Sequence, residues 1–253
     1  MRILVTFAVD WECKPWLRLG KFQAVPGNGH AFRTQVAGSD VSILVTGIGP
    51  ANAVWSIRNL MDTVPDCCIA SGLAGGLKHH HRPGEILAAR TTRSETAGET
   101  YDSDDALFST AIECGAKPVD RLISTRKVIR TPQEKFRLSA SADVVDMESF
   151  AIMKELSGLG VPCVAVRSIS DSAEMDVPCD FDRALDDSGH IRIAHVLGQI
   201  VTDPRQVWSL ARLGMRSSRA AASLARFLEA YIACLAGQKE PKEKTDLNVQ
   251  PIS

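Results

Sequence analysis

The chain has 253 residues, a formal net charge of −1 at pH 7 and 45% apolar residues. These values fit one large domain with a substantial core, and they exclude the strongly basic surface expected of a nucleic-acid-binding protein. The seven cysteines include no CxxC pair and several lie in apolar runs, so we expect reduced, buried thiols in a cytoplasmic protein. We expect neither a signal peptide nor a transmembrane helix, because no uninterrupted apolar run approaches the length of a span, about 20 residues.

The predicted elements alternate between strand and helix. Apolar runs predict strands at 3–9, 32–37, 41–46, 67–70, 85–90, 121–124, 143–145 and 163–169. Helical periodicity and capping residues predict helices at 51–62, 103–114, 132–140 and 147–159. This alternation predicts an α/β protein: a single-domain, three-layer α/β/α fold with a central mixed twisted sheet.

The C-terminal third is predicted to be helical. Two apolar stripes indicate two helices after Asp203-Pro204. We therefore assign residues 1–236 to one domain, with extra C-terminal helices at about 193–236. The polar tail, 237–253, is predicted to be disordered.

Carboxylates follow three predicted strands. Glu12 follows the first strand, Asp146 and Glu148 follow a later one, and Asp171 follows the last. Because ligands bind beyond the carboxyl ends of strands in α/β sheets, these acids indicate a site for a polyhydroxylated, nitrogen-bearing substrate. The alternatives are helix capping for Asp146 and Glu148, an exposed loop for Glu12, and an ion pair with Arg167 for Asp171.

Two glycine clusters and a histidine triplet also follow strands. Gly72 and Gly75 lie in a predicted turn, where glycine lets backbone N–H groups approach a ligand closely. The Gly47-x-Gly49 pair lacks the third glycine of a dinucleotide fingerprint, so we expect no nucleotide cofactor. We interpret His79 to His81 as an exposed loop and predict no metal site.

Four motifs occur together in one order: Ala8-Val9-Asp10-Trp11-Glu12, residues 46–53 (TGIGPANA), residues 71–77 (SGLAGGL), and Asp146-Met147-Glu148 with Arg167-Ser168-Ile169-Ser170-Asp171. That order resembles the purine nucleoside phosphorylase and nucleosidase superfamily. Within it, the chain is most similar to the methylthioadenosine/S-adenosylhomocysteine nucleosidases. The resemblance covers roughly residues 1–175.

The resemblance implies a role for each site residue. Glu148 would accept hydrogen bonds from the ribose 2′- and 3′-hydroxyls, and Met147 would pack on the sugar. Asp171, oriented by Ser170, would protonate N7 of the purine, and Glu12 would activate the attacking water.

The resemblance further implies that Val128 and Ile129 contact the base. It implies no cofactor and no metal, with phosphate as a possible co-substrate, and it implies a homo-oligomer.

Two departures leave the nucleophile open between water and phosphate. Leu73 stands where the nucleosidases have a hydroxyl residue in the glycine turn. The arginines with which many phosphorylases grip phosphate have no assigned counterpart, although Arg90, Arg126 and Arg130 are available.

The C-terminal third contains Asp176-Val177-Pro178, Asp186-Asp187-Ser188-Gly189-His190 and Asp203-Pro204-Arg205, followed by two predicted helices. This layout resembles the hopanoid-associated phosphorylases, which release adenine from adenosylhopane. We therefore expect phosphorolytic release of adenine from a nucleoside that carries a large lipid at the 5′ carbon, with adenosylhopane as the expected substrate. Hydrolysis by a methylthioadenosine/S-adenosylhomocysteine-type nucleosidase is the alternative, and a non-catalytic nucleoside-binding or storage protein is another. The C-terminal helices would line an apolar channel, make peripheral membrane contact, or pack on the domain or a second subunit.

Overall fold

The computed structural model describes residues 1–178 and 206–237. Its strands are β1 (Arg2–Phe7), β2 (Gln23–Val25), β3 (Asn28–Val36), β4 (Ser39–Val45), β5 (Cys67–Gly76), β6 (Ile86–Ser94), β7 (Thr100–Asp102), β8 (Lys117–Ser124), β9 (Val144–Asp146) and β10 (Cys163–Asp171). Its helices are α1 (Asp10–Leu19), α2 (Pro50–Leu60), α3 (Asp105–Glu113), α4 (Pro132–Ser139), α5 (Ser149–Ser157) and α6 (Gln206–Gly237).

The strands form one mixed sheet between two helical layers. Helices α1, α3 and α6 contribute to a core cluster on one face, and α2 and α5 contribute to a cluster on the other. The apolar runs in the sequence become strands because both faces of the sheet are buried. The predicted three-layer α/β/α fold with a mixed sheet is confirmed.

Part of the sheet closes on itself. Strand β10 pairs in parallel with β5 and antiparallel with β6, and β6 continues through β8 and β9 back to β5. The first residues of β5 also pair with β1, which is followed in the sheet by β4, β3 and β2. Strands β1 and β10 are both parallel to β5. The carboxyl ends of these three strands therefore lie at the same edge of the sheet.

Strand β5 is longer than predicted. The glycine-rich stretch from Ser71 to Gly76, predicted to be a turn, continues the strand. Arg167 of β10 pairs with Gly72, and Val145 of β9 pairs with Gly75. The turn prediction is wrong because pairing with two neighbouring strands outweighs the weak strand propensity of glycine.

Helix α1 is absent from the predicted elements. It runs from Asp10 to Leu19 with Pro15 inside it, and an internal proline normally indicates a helix end. The helix is stabilised instead by packing, since Trp16 is fully buried and its indole N–H donates to Glu229 of α6 at 2.8 Å. Glu12 consequently lies in the first turn of a helix, and it is buried rather than on an exposed loop.

The C-terminal region contains one continuous helix of 32 residues, α6, where two helices were predicted. Tyr231, fully buried, donates its hydroxyl hydrogen to the carbonyl of Leu107 at 2.6 Å. By length and composition the helical residues 211–237 could cross a bilayer, and half of their most apolar 18-residue stretch is buried inside the protein. The predicted elements at 193–205 and the tail 238–253 lie outside the described residues, and the domain bounds stay a prediction.

Candidate functional site

One cavity brings together residues that are far apart in sequence. Its volume is about 200 Å³, and of the nine predicted site residues only Gly72 is outside its lining. The lining members are Glu12, Gly75, Val128, Ile129, Met147, Glu148, Ser170 and Asp171. A larger depression of about 670 Å³ beside β2, β3 and β4 contains none of them, so size alone does not mark the site.

Glu12 enters the cavity from α1, and its carboxylate is held by backbone donors. The N–H of Ala8 donates to Oε2 at 3.1 Å, and the N–H of Leu73 donates to Oε1 at 3.2 Å. Burial raises the pKa of Glu12, while the charge of Arg167 and these backbone donors oppose the rise. At position 73 the backbone N–H therefore holds the acid.

Gly72 lies just behind this carboxylate. Its φ is +136°, and a Cβ atom built there would lie 2.4 Å from Nη1 of Arg167 and 3.2 Å from Oε2 of Glu12. A side chain at this position would collide with the charged groups, so the position requires glycine. Gly72 thus acts by leaving space, while Gly75 borders the cavity itself.

Arg167 is fully buried at the centre of the acidic residues. Its guanidinium forms an ion pair with Asp146, donates to Ser149 Oγ at 2.8 and 3.1 Å, and donates to the carbonyl of Ser71 at 2.8 Å. The considered pairing of Arg167 with Asp171 is wrong, because Asp146 is its partner. Asp146 also accepts the N–H of Ser149 at 3.0 Å, which places it at the strand–helix junction.

Glu148, like Glu12, is a buried acid with a raised pKa. Its Oε1 accepts the N–H of Gly49 at 2.7 Å, which gives the Gly47-x-Gly49 turn a role in holding an acid. Burial first, and then the charge of Asp146, raise the pKa of Glu148 to about 8. Arg167 and the Gly49 donor act in the opposite direction. Perturbed carboxyls in a cavity are characteristic of functional sites.

Asp171 is held at both carboxyl oxygens. Ser170 Oγ bonds to Oδ1, and the ammonium of Lys135 forms an ion pair with Oδ2. Lys135 lies on α4, has no exposed surface, and was not singled out from the sequence. The sequence of α4 gives no sign of this, because a phenylalanine is expected to be buried and a lysine exposed. In the structure Phe136 is 73% exposed and its neighbour Lys135 is buried.

The rest of the lining is mainly apolar. Trp11, Ile48 and Val177 border the cavity, and α6 contributes Leu213 and Ser217. Such a surface suits the flat faces of a purine and an apolar substituent, with orientation left to the few polar groups.

Cationic groups are scarce at this cavity. Among the described lining residues the only cationic side chain is that of Lys127. Arg90, considered for phosphate, pairs with Asp105 at 2.6 Å and stacks over Phe108, and Arg126 lines a neighbouring cavity. Arg130 donates from Nε to the carbonyl of Val177. None of these three arginines lines the acidic cavity.

The described residues hold no group of three or more His, Cys, Asp or Glu side chains arranged to bind a metal ion. In the histidine triplet, His79 and His80 are exposed, whereas His81 is 2% exposed. The prediction of an exposed loop is therefore wrong for His81, which packs beside Gly76.

Comparison with solved structures places this geometry among known folds. The S. pneumoniae 5′-methylthioadenosine/S-adenosylhomocysteine nucleosidase aligns with a TM-score of 0.70 over 93% of this chain and all of that chain, at 17% identity. The Helicobacter pylori futalosine hydrolase aligns with a TM-score of 0.70 over 92% of this chain and 97% of that one, also at 17% identity. The chain shares the α/β fold of these two proteins, which is the fold that the resemblance to the nucleoside phosphorylase and nucleosidase superfamily predicts.

Sequence comparison supports the same superfamily. The 5′-methylthioadenosine/S-adenosylhomocysteine nucleosidase of Shewanella sediminis is 29% identical over 184 residues, covering 62% of this chain and 79% of the relative. That of Bacillus thuringiensis is 26% identical over 216 residues, covering 74% and 92%. No family model matches the chain. These relatives support an enzyme of the nucleosidase kind, and they fit the hydrolytic alternative better than the phosphorolytic, hopanoid-directed expectation.

Proposed function

We propose that the protein hydrolyses the N-glycosidic bond of an adenine nucleoside and releases adenine. The observation that carries the proposal is the meeting of three buried acids, Glu12, Glu148 and Asp171, at one cavity, although they come from three separate parts of the chain. A scaffold that only binds nucleosides has no need for three desolvated acids, which are costly to bury. The nucleosidase relatives support the same reaction.

Each acid has a distinct task in this reaction. Glu148 holds the ribose hydroxyls, since a carboxyl group anchored at Oε1 by Gly49 can form hydrogen bonds with neighbouring hydroxyls through its other oxygen. Glu12 takes a proton from a water molecule while the water oxygen bonds to C1′. The C1′–N9 bond breaks and its electron pair moves into the purine. Asp171, which takes up a proton from solvent before the bond breaks, delivers that proton to N7 and returns to the carboxylate that pairs with Lys135. The negative charges of the site also stabilise the oxocarbenium-like sugar of the transition state.

Water is the favoured nucleophile because the cavity is poor in cations. Phosphate carries up to two negative charges at neutral pH and would lie among buried acids, with Lys127 as the cation among the described lining residues. Bringing like charges together in a desolvated site is strongly unfavourable. The substituent at the 5′ carbon is best chosen from the nucleosidase relatives, with methylthioadenosine and S-adenosylhomocysteine as first substrates.

The test measures adenine release from methylthioadenosine, S-adenosylhomocysteine and adenosine, with and without phosphate. We expect release without phosphate, and the free sugar as the second product. Ribose 1-phosphate, or release that requires phosphate, would instead show a phosphorylase. Tight nucleoside binding without any adenine would indicate a binding protein.

Variants of the acids test their assigned tasks. Glu12→Gln and Asp171→Asn should each lower kcat by about 100-fold or more, because each removes a proton-transfer group. Glu99→Gln is the matched control, since Glu99 is an exposed acid that pairs with Lys154 away from the cavity. If Asp171→Asn cleaves adenine nucleosides at the normal rate, Asp171 is not the acid.

A further inference from the structure

Lys135 is a buried cation whose role the reaction described above does not include. It has no exposed surface, and its Nζ contacts Asp171 Oδ2 and, at 2.8 Å each, the carbonyl oxygens of Ser172 and Met175. Lysine is almost never fully buried without a partner, because desolvating an ammonium group is costly. The burial of Lys135 beside a proposed catalytic acid therefore needs an explanation.

The contacts of Lys135 account for all its hydrogen-bonding capacity. An ammonium group has three N–H donors, and Nζ has three acceptors within reach. Two of these acceptors are backbone carbonyls, so the position of the Lys135 ammonium group is fixed independently of the Asp171 side chain. The lysine itself is placed by the start of α4, where Thr131 and Glu134 form a capping box.

The consequence for Asp171 is a carboxyl group that cannot rotate freely. Lys135 holds Oδ2 while Ser170 holds Oδ1. Gly75, whose added Cβ would lie 3.2 Å from Oδ2, allows this close packing. A general acid contributes fully only when it is held at hydrogen-bonding distance and in line with the accepting atom.

We propose that Lys135 is a positioning residue for departure of the base: it fixes the carboxyl plane of Asp171 and ties residues 172–175 to α4, and it acts on the purine only through Asp171. This inference rests on the proposed function. It predicts that loss of Lys135 impairs proton delivery to the base and leaves nucleoside binding largely intact.

The first measurement compares Lys135→Met with the wild-type enzyme on methylthioadenosine. Methionine fills a similar volume without the charge, so we expect kcat to fall about 100-fold while KM stays within about 3-fold. Lys78→Met is the matched control, because Lys78 also bonds to α4, at the carbonyl of Ser139, but lies outside the cavity lining. It should retain wild-type kcat. A Lys135→Met enzyme with a kcat within about 3-fold of wild type would overturn the inference.

The second measurement is a double-mutant cycle with Asp171→Asn. If Lys135 acts only through Asp171, the double variant should be no more than about 3-fold slower than Asp171→Asn alone. Losses that multiply would show a separate role for the lysine and would refute the inference.

The double variant also lacks both buried charges, so it remains informative if Lys135→Met alone does not fold. The wild-type assay distinguishes a failure of the proposed function from a failure of the inference about Lys135. If wild type releases no adenine, the proposed function itself fails. If wild type is active but the cycle gives multiplied losses, only the inference about Lys135 fails.

Discussion

Replacing Glu148 with glutamine should stabilise the protein without substrate while it removes activity. Burial and Asp146 raise the pKa of Glu148 from 4.5 to about 8. The folded protein therefore keeps this proton at pH values where the unfolded chain has released it, and stability falls as the pH rises from about 4.5 to about 8. Below about pH 4.5 Glu148 is protonated in the folded and in the unfolded protein, and it no longer lowers the stability. Glutamine does not titrate, and its amide oxygen can still accept the Gly49 N–H.

The size of the effect follows from this pKa. At 1.36 kcal/mol for each pH unit, less the partial titration at both ends of the range, the destabilisation by Glu148 grows by about 3–4 kcal/mol between pH 5 and pH 8. The free energy of unfolding of Glu148→Gln, relative to wild type, should increase by that amount over the same range. Urea unfolding of both proteins at pH 5, 6, 7 and 8 measures it, with Glu99→Gln as the exposed control. A difference that stays constant within about 1 kcal/mol from pH 5 to pH 8 would refute the assignment of a buried, proton-holding Glu148.

Three further substitutions test the supporting structure. Gly72→Ala should lower the stability by about 2 kcal/mol or more and reduce kcat, because its Cβ would displace the guanidinium of Arg167; unchanged activity and thermal stability would contradict this. Arg167→Met should cost about 3–5 kcal/mol in urea unfolding, because it leaves Asp146 as a buried, unpaired charge; a cost below 1 kcal/mol would show that the ion pair matters little. Tyr231→Phe should cost about 1 kcal/mol through the lost bond to Leu107 and leave kcat unchanged, and a change in kcat would instead connect α6 to catalysis.

Most of the sheet could be predicted from the sequence because its strands are buried on both faces. The antiparallel β3–β4 hairpin and the acids at the ends of β9 and β10 follow from apolar runs that stop at polar residues. The extension of β5 could not be predicted, because its glycines indicate a turn locally and its strand conformation depends on β9 and β10. Tertiary pairing overrides local propensity at such positions.

The site was predictable only in part. Glu12 was assigned through family resemblance, since Pro15 hides the helix that buries it. Lys135 carries no sequence signal of its own: in a short helix with an exposed phenylalanine beside it, a lysine is expected to face solvent. Its burial is explained by three acceptors that come from a different part of the chain.

The closed part of the sheet also bears on the stage of folding at which enzymatic activity is recovered. Strand β10 must join β5 and β6, and contacts such as that between Arg167 and Ser71 link residues 96 positions apart. Contacts of such long range form slowly, because the loop-closure entropy is lost before they stabilise the chain. We expect Glu12 and Glu148 to be solvated and to titrate as ordinary carboxylic acids until β10 docks, because their raised pKa values depend on burial. We therefore expect activity to return during refolding together with the last, slowest kinetic phase, and not with early secondary structure.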